Sequence, residues 1–240
     1  MTVSESDPRS VREHLALALD VDDLDRAATL AAEVGEYLGV AKIGLELYAA
    51  AGPSAFDRLH AEGFAVFADL KLHDIPTTVE KAARVVGRYG VEYLNFHAAG
   101  GETMLRGAAH AYRESARAAG VTHPVALAVT VLTSDVDTRA FPARLDAARA
   151  SGCDGVVCSA HELAIVRTSW PEAVTMVPGI RLAGEDANDQ ARVASPADVA
   201  RDGGTCAVIG RTVTHAIAPR DAARQVAESF LAGLTARRAP

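Results

Sequence analysis

The sequence predicts an α/β protein with the (β/α)8 fold, a TIM barrel, on three observations. Short apolar segments typical of buried strands alternate with longer amphipathic segments throughout the chain. The strand-like segments are apolar on both faces, which is typical of a parallel sheet covered by helices. Eight such units fit within 240 residues, close to the roughly 250 residues that one barrel of this class needs. We therefore expect a single barrel domain over residues 1–240.

The order of the predicted elements follows this alternation. The strands are Leu15–Asp20, Ala41–Leu45, Ala65–Lys71, Tyr93–His97, Val125–Leu132, Gly155–Ser159, Thr175–Ile180 and Ala207–Gly210. The helices are Asp22–Tyr37, Ser54–Glu62, Thr78–Tyr89, Glu102–Ala119, Arg139–Ala150, Pro196–Arg201 and Arg220–Leu234. Ser195 is an expected N-cap, and Pro76 disfavours helix in the residue before it, so the third helix should start only near Thr77 or Thr78. The polar segment Arg181–Ala194 is expected to be a mobile loop beside the active site.

Composition and charge exclude several classes of protein. A net charge of −7 and 5% aromatic residues argue against a nucleic-acid-binding surface, which needs clustered basic charge and stacking platforms. No apolar run approaches the roughly 18 residues of a membrane span, and the polar amino-terminal segment predicts no signal peptide, so we expect a cytoplasmic protein. The cysteines Cys153, Cys158 and Cys206 lack CxxC spacing and are expected to be buried free thiols. No His, Asp and Glu set has metal-ligand spacing, so no metal site is expected.

Lysine is rare in this chain. Only three of its 24 basic residues are lysines, namely Lys42, Lys71 and Lys81. Lysine can deliver a proton whereas arginine effectively keeps its charge, so a retained lysine is a candidate for acid–base chemistry. Chance explains any single lysine equally well, and it is the better explanation for Lys81, which lies in a polar helical run.

Charged residues concentrate where the first three predicted strands end, on the side of a (β/α)8 barrel that carries active sites. Asp69 and Lys71 are two apart on the third strand, so both side chains should project into the barrel mouth. Lys42 on the second strand can reach the same mouth, and Asp74 lies just beyond the third strand. Each charge taken singly could be a solvated rim residue. The D-x-K-x-x-D spacing is weak by itself, but beside Lys42 it predicts a catalytic Lys–Asp–Lys–Asp array.

A second cluster follows the seventh and eighth strands, where such barrels often bind phosphate. Gly210 lets the backbone approach an anion, and Arg181 and Arg211 can make charge-assisted hydrogen bonds to it. Gln190 could close over the phosphate from the mobile loop. The alternative is an ordinary strand-to-helix turn with a surface arginine. At the end of the fourth strand, His97 is expected to be a hydrogen-bonded core residue rather than a substrate contact.

The motifs that contain these residues resemble those of the orotidine 5′-phosphate decarboxylase family, in the same order and over nearly the whole barrel. The matching stretches are 17–20 (LALD), 42–44 (KIG), 69–76 (DLKLHDIP), 95–98 (NFHA), 129–133 (VTVLT), 178–181 (PGIR), Gln190 and 208–211 (VIGR). The resemblance implies an enzyme that converts orotidine 5′-phosphate to UMP and CO2 in pyrimidine biosynthesis. It also implies that the enzyme needs no cofactor and works as a homodimer with shared active sites.

The same resemblance implies a role for each site residue. Lys71 is implied to give a proton to C6 of the pyrimidine as CO2 leaves, and Asp69 to crowd the substrate carboxylate and hold Lys71. Asp74, with Ile75 and Thr78, is implied to reach into the active site of the partner subunit. The remaining implied roles are ribose binding by Asp20 and Lys42, pyrimidine contact by Thr133, and phosphate binding by Arg181, Gln190, Gly210 and Arg211.

Two other functions stay open on the sequence alone. A magnesium-dependent sugar-phosphate decarboxylase or aldolase shares D-x-K-x-x-D, but such enzymes typically carry a Glu metal ligand near the position of Lys42, and a lysine repels Mg²⁺. A non-catalytic nucleotide-binding barrel predicts UMP binding without turnover. The complete set of Lys42, Asp69, Lys71 and Asp74 argues against such a barrel.

Overall fold

The computed structural model describes residues 4–135, 137–182 and 194–238. Eight parallel strands close a barrel in chain order, and the eighth strand pairs with the first. The strands are β1 (Leu15–Ala18), β2 (Val40–Ile43), β3 (Ala65–Leu72), β4 (Tyr93–His97), β5 (Val125–Val129), β6 (Gly155–Val157), β7 (Val174–Ile180) and β8 (Cys206–Ile209). Each strand overlaps its predicted segment, so the predicted (β/α)8 barrel is confirmed. β1, β2, β5, β6 and β8 end earlier than predicted because the chain leaves the ladder at the barrel mouth.

Helices follow the strands around the outside of the barrel. They are α1 (Leu24–Val34), α2 (Leu45–Ala51), α3 (Ser54–Ala61), α4 (Pro76–Gly87), α5 (Gly101–Ala118), α6 (Phe141–Ala150), α7 (Leu163–Ser169), α8 (Pro196–Arg201), α9 (Arg211–Thr214) and α10 (Pro219–Arg238). Short 3-10 helices span Pro8–His14, Ala98–Gly100 and Ala160–Glu162. The sequence did not predict α2, α7 and α9, because segments this short carry little helical periodicity. No helix in the described part of the chain is long and apolar enough to cross a membrane.

Two helix starts test the expectations on capping. α8 has its predicted bounds, and the hydroxyl of Ser195 accepts a hydrogen bond from the backbone N–H of Asp198, as expected of an N-cap. α4 begins at Pro76, so the expectation of a start near Thr77 or Thr78 was wrong. Ile75 does stay extended, with ψ 146°. Pro76 itself takes the first helical position, where a missing N–H group costs nothing and the fixed φ suits a helix.

Apolar side chains fill the barrel in two layers. Outward-facing strand residues pack against the helices, and inward-facing residues such as Val40 and Phe67 fill the interior. Side chains alternate between the two faces along each strand. Lys42, Asp69 and Asn95 continue the inward-facing series of β2, β3 and β4 toward the carboxyl ends and are all buried. The barrel interior is therefore apolar toward the amino-terminal ends of the strands and charged toward their carboxyl ends, which form the barrel mouth.

At the amino-terminal ends of the strands, three equivalent polar contacts join neighbouring strands, and these are here called the base contacts. The residue just before β4, β6 and β8 accepts, through its side chain, the N–H of the second residue of the strand before. The three pairs are Val66–Glu92 at 2.6 Å, Ala126–Asp154 at 2.8 Å and Thr175–Thr205 at 3.2 Å. A basic side chain also bonds to each acceptor, namely His60, Arg113 and Arg167.

Candidate active site

Two adjoining cavities open at the carboxyl ends of the strands. The first has a volume of about 400 Å³ and is lined by Asp20, Arg181, Gly210 and Arg211, among others. The second has a volume of about 180 Å³ and is mostly apolar. Both are lined by Lys42, Asp69, Pro178 and Val208. Lys42 and Asp69 of the predicted charge array therefore lie where a polar cavity meets an apolar one.

Lys42 lies deepest in the array. Its Nζ donates to Asp20 Oδ1 at 2.7 Å and lies 3.6 Å from Asp69 Oδ2, and its side chain is only 8% exposed. Gly44 makes room for this ion pair, because a Cβ there would lie 2.9 Å from the Lys42 ammonium and 3.0 Å from the Asp20 carboxylate. Burying an ammonium group this deeply requires such paired carboxylates.

Asp69 bridges the two lysines of the array. Its Oδ1 accepts a hydrogen bond from Lys71 Nζ at 2.6 Å, while Oδ2 faces Lys42. The side chain of Lys71 is 33% exposed, four times the fraction of Lys42. Of the two lysines, Lys71 is therefore the more accessible to a molecule in the cavity.

The backbone at Lys71 departs from a regular strand. β3 and β4 pair at Ala68–Leu94 and again at Leu72–Phe96, so three residues of β3 lie opposite the single residue Asn95. Within this bulge Lys71 has φ +50°, in the left-handed region that favours glycine. Asp69 and Lys71 do meet, as the sequence predicted, but the simple alternation of a strand is not the reason.

Asp74 and its neighbours lie in a different environment from the other residues of the array. Asp74, Ile75 and Thr78 are all exposed, and none of them is among the described residues that line the two cavities. The Asp74 carboxylate accepts the backbone N–H of Ile75 at 2.6 Å. Ile75 is 65% exposed, which is unusual for so large an apolar side chain beside an active site. Within one chain, the predicted fourth member of the array therefore stands apart from the other three.

The second predicted cluster lines the larger cavity. Arg181 is buried, and its Nη1 donates to the carbonyl of Ile180 at 2.8 Å. Gly210 and Arg211 line the same cavity, and among the described residues a Cβ on Gly210 would meet only Ala18, at an ordinary 3.8 Å. The surroundings of Gly210 in the chain thus leave its backbone open to the cavity.

The predicted mobile loop is described only at its two ends. Ile180 and Ala194 form an isolated parallel bridge, and the N–H of Arg181 donates to the carbonyl of Ala194 at 3.0 Å. The two described ends, at Arg181 and Ala194, therefore lie side by side next to the larger cavity. Gln190 lies outside the described residues, so its predicted contact stays a prediction.

Thr133 lines the smaller cavity, and its predicted contact to the pyrimidine stays a prediction. The sequence did not identify the apolar residues around it, because strand residues such as Phe67, Val129 and Val157 cannot be told from ordinary core residues in a sequence. Cys158 belongs to the same wall, and burial raises the pKa of its thiol, so it stays neutral and apolar. The smaller cavity is therefore suited to an uncharged ring.

His97 was expected to be a hydrogen-bonded core residue. Its Nδ1 does accept the N–H of Ala99 at 3.2 Å, but the residue is only half-buried. Its ring stacks on that of His73, with centroids 5.4 Å apart. Burial lowers the pKa of His97, and the positive charges of Arg144 and Lys71 and the nearby His73 lower it further. The ring is therefore neutral at physiological pH.

The sequence that forms this barrel and its mouth matches a known family. A family model described as "Orotidine 5'-phosphate decarboxylase / HUMPS family" matches residues 13–226. The chain belongs to the orotidine 5′-phosphate decarboxylase / HUMPS family.

Named relatives support this membership. An orotidine 5′-phosphate decarboxylase from Moorella thermoacetica is 44% identical over 231 residues, which cover 90% of this chain and 91% of that protein. One from Lactiplantibacillus plantarum is 43% identical and covers 90% of this chain and 98% of the relative. A crystal structure of orotidine 5′-phosphate decarboxylase from Lactobacillus acidophilus superposes with a TM-score of 0.78 at 28% identity, covering 90% and 98% of the two chains. The resemblance seen in the motifs is thus confirmed at the level of the family and the fold.

Proposed function

We propose that this enzyme decarboxylates orotidine 5′-phosphate to UMP and CO2 in pyrimidine biosynthesis, without a cofactor. One observation supports this proposal more strongly than the others. Asp69, held between Lys42 and Lys71, lies at the junction of a polar cavity and an apolar one. A nucleotide has the same division, because its phosphate and ribose are polar and its base is a flat ring.

The two cavities suggest the orientation of the substrate. The phosphate belongs in the larger cavity with Arg181, Gly210 and Arg211, where charge-assisted hydrogen bonds are available. The pyrimidine belongs in the smaller cavity with Thr133. This orientation brings the carboxylate on C6 of the pyrimidine toward Asp69 and the accessible ammonium of Lys71.

The chemistry then needs only groups of the chain. As the bond between C6 and the carboxylate breaks, CO2 leaves and its bonding electron pair remains on C6. Lys71 donates a proton to that pair, which forms the new C6–H bond and leaves a neutral amine that solvent reprotonates. An ammonium group fixed beside C6 stabilises the developing negative charge more than the ground state, which is where a rate enhancement originates. Asp69 crowds the departing carboxylate and keeps Lys71 in place.

A homodimer accounts for the position of Asp74. The carboxylate of Asp74 and the exposed side chains of Ile75 and Thr78 lie outside the cavities of their own chain, and a two-fold axis would place them in the partner's site. A mixture of inactive Lys71→Ala and Asp74→Ala subunits tests this, because each mixed dimer then has one intact site. About a quarter of wild-type activity should return after subunit exchange. An unrestored mixture in which differently tagged subunits co-purify as mixed dimers contradicts the shared site.

A magnesium-dependent reaction is the main alternative within this family. Lys42 argues against it, because its ammonium lies 2.7 Å from Asp20 and 3.6 Å from Asp69. It therefore occupies the space between the two carboxylates that a divalent cation would use, and its charge repels such a cation.

The deciding experiment follows the loss of orotidine 5′-phosphate absorbance with the purified protein, with and without EDTA. We expect turnover to UMP that EDTA does not change. Turnover that EDTA abolishes would favour the magnesium-dependent alternative, and tight UMP binding without turnover would favour a non-catalytic barrel.

A cytoplasmic location is also proposed. Cys153, Cys158 and Cys206 are buried free thiols, as expected of a protein in a reducing compartment. Burial raises the pKa of Cys153 and Cys206 to about 12, so these thiols are unreactive and structural. Retention of activity in a cytosolic fraction after osmotic release of other compartments tests the location.

A further inference from the structure

Asn95 is a polar residue in an apolar strand. It is fully buried on the inward face of β4, and its neighbours Leu94 and Phe96 are fully buried apolar residues. A buried amide without partners costs on the order of 1–3 kcal/mol, so its partners indicate why it is there. Both partners lie in β3 and belong to the array: Nδ2 donates to Asp69 Oδ1 at 2.7 Å, and Oδ1 accepts the backbone N–H of Lys71 at 2.7 Å.

The hydrogen bond to Lys71 compensates for the bulge. In a regular parallel pair, the backbone N–H groups of β3 would donate to carbonyl groups of β4. The bulge removes Lys71 from that ladder and puts it in a conformation that costs an L-residue roughly 1–2 kcal/mol. The side chain of Asn95, directly opposite, supplies the acceptor that the ladder no longer provides.

The hydrogen bond to Asp69 sets the direction of the carboxylate. Oδ1 of Asp69 receives two donors, from Lys71 at 2.6 Å and Asn95 at 2.7 Å, and Oδ2 faces Lys42 at 3.6 Å. Two hydrogen-bond donors and one ion-pair partner, on three different strands, therefore fix the rotation of this group. Without Asn95, the carboxylate can turn toward either ammonium group.

We propose that Asn95 is a positioning residue, which holds the Lys71 backbone and the Asp69 carboxylate in register so that the Lys71 ammonium meets C6 of the substrate. This rests on the proposed decarboxylation. Asn95 is not among the described residues that line either cavity, so it acts through Asp69 and Lys71 and not by contact with the substrate. A misplacement of about 1 Å in a reacting group costs on the order of 10²-fold in rate.

Two substitutions separate the two hydrogen bonds. Asn95→Leu keeps the approximate volume and removes both bonds. Asn95→Asp keeps the shape and the acceptor for Lys71 but replaces the donor to Asp69 with an oxygen. Thr175→Val is the matched control, because Thr175 is also fully buried on a strand and its hydroxyl accepts hydrogen bonds from Thr205 N at 2.9 Å and Arg167 at 3.0 Å, at the other end of the barrel.

The measurements are kcat and KM for orotidine 5′-phosphate, Kd for UMP, and Tm. We expect kcat to fall by roughly 10- to 100-fold in both Asn95 variants, while the Kd for UMP changes by less than about threefold. Thr175→Val should lower Tm with kcat unchanged. A kcat within about twofold of wild type in either Asn95 variant overturns the proposal, as does an equal loss of kcat in Thr175→Val at an equal fall in Tm.

A structural measurement separates this proposal from the proposed function. Should the wild-type protein fail to turn over orotidine 5′-phosphate, the decarboxylation fails, but the role of Asn95 can still be tested in a crystal structure of Asn95→Asp. We expect the contact between Lys71 Nζ and Asp69 to lengthen or the left-handed φ of Lys71 to be lost. An unchanged array overturns the positioning role whatever the substrate is.

Discussion

The two ends of the barrel bury polar groups in different ways. At the base contacts, Glu92 and Asp154 each accept a backbone N–H and bond to one basic side chain. At the mouth, Asp69 bonds only to side chains, and two of its partners are ammonium groups that line a cavity. The carboxylates at the base therefore satisfy the backbone of a neighbouring strand, whereas the carboxylate at the mouth holds charged groups beside a cavity.

This difference predicts different effects of substitution. A buried side chain that satisfies the backbone stabilises the fold, because its removal leaves a backbone donor unpaired. The side chain of Lys71 is 33% exposed, and a solvent-screened ion pair contributes little net stability, so its loss changes the stability little. We therefore expect changes at the mouth to affect catalysis more than stability, and changes at the base to do the reverse.

The largest expected effect at the mouth is that of Lys71→Ala. Without its ammonium group, no proton donor remains beside C6, and kcat should fall by about 10³-fold or more. UMP binding should remain measurable by calorimetry, because the phosphate contacts are intact. Lys81→Ala is the control, since Lys81 is an exposed lysine on α4 and should leave kcat unchanged. Near-normal turnover of Lys71→Ala would remove Lys71 from its role.

Arg211→Ala tests the phosphate end of the mouth. A charged hydrogen bond is worth about 1.5–3 kcal/mol, so KM for orotidine 5′-phosphate should rise roughly 10- to 100-fold. The matched control is Arg224→Ala on the exposed face of α10, which should have a wild-type KM. An unchanged KM in Arg211→Ala refutes the phosphate assignment.

Arg167→Met tests the base with the opposite expectation. The guanidinium of Arg167 donates to the carbonyls of Pro171, Ala173 and Gly203 at 2.6, 2.8 and 2.9 Å. Methionine keeps part of the packing but none of these bonds, so the free energy of unfolding should fall by about 1–3 kcal/mol in urea denaturation. Both kcat and KM should stay within about twofold of wild type. A loss of kcat at full stability would show that the two ends are not independent.

The smallest expected effect is a pH dependence of the free energy of unfolding, caused by His97 at the mouth. Burial lowers the pKa of His97 in the folded state, so the unfolded chain binds a proton more readily as the pH falls through the ordinary histidine range. The free energy of unfolding should therefore decrease between about pH 7.5 and about pH 5.5. His97→Gln should show a smaller decrease in the same denaturation experiment. Equal pH dependence in the two proteins means that other groups account for it.

The sequence predicted the barrel well because its signals are local. In each strand and each longer helix the apolar residues have a characteristic spacing, so each element can be recognised within its own segment of the sequence. The residues at the strand ends, such as Lys42 and Asp69, were found because the barrel fold assigns active sites to those ends. The seven-residue helices α2 and α7 were missed because one or two turns carry too little periodicity.

Within the site, the sequence identified the charged groups but not what orients them. Asn95 belongs to the motif 95–98 (NFHA), and a single amide at an inward position of an apolar strand could have indicated a role in the site. Its hydrogen-bond partners lie on another strand, so the sequence alone did not identify them. Nothing in the sequence indicated the bulge at Lys71, since the residues around it are typical of a regular strand. The apolar wall of the smaller cavity has the composition of any core.

The sequence by itself determined the order of the strands, the set of charged residues and the family, because these depend on residue types and local spacing. Only the tertiary structure decided that Asp69 lies between two ammonium groups, that Lys71 adopts a left-handed conformation opposite Asn95, and that Asp74 stands apart from the cavities of its own chain. Those facts depend on how neighbouring strands pair, and strand register follows from packing across the whole barrel.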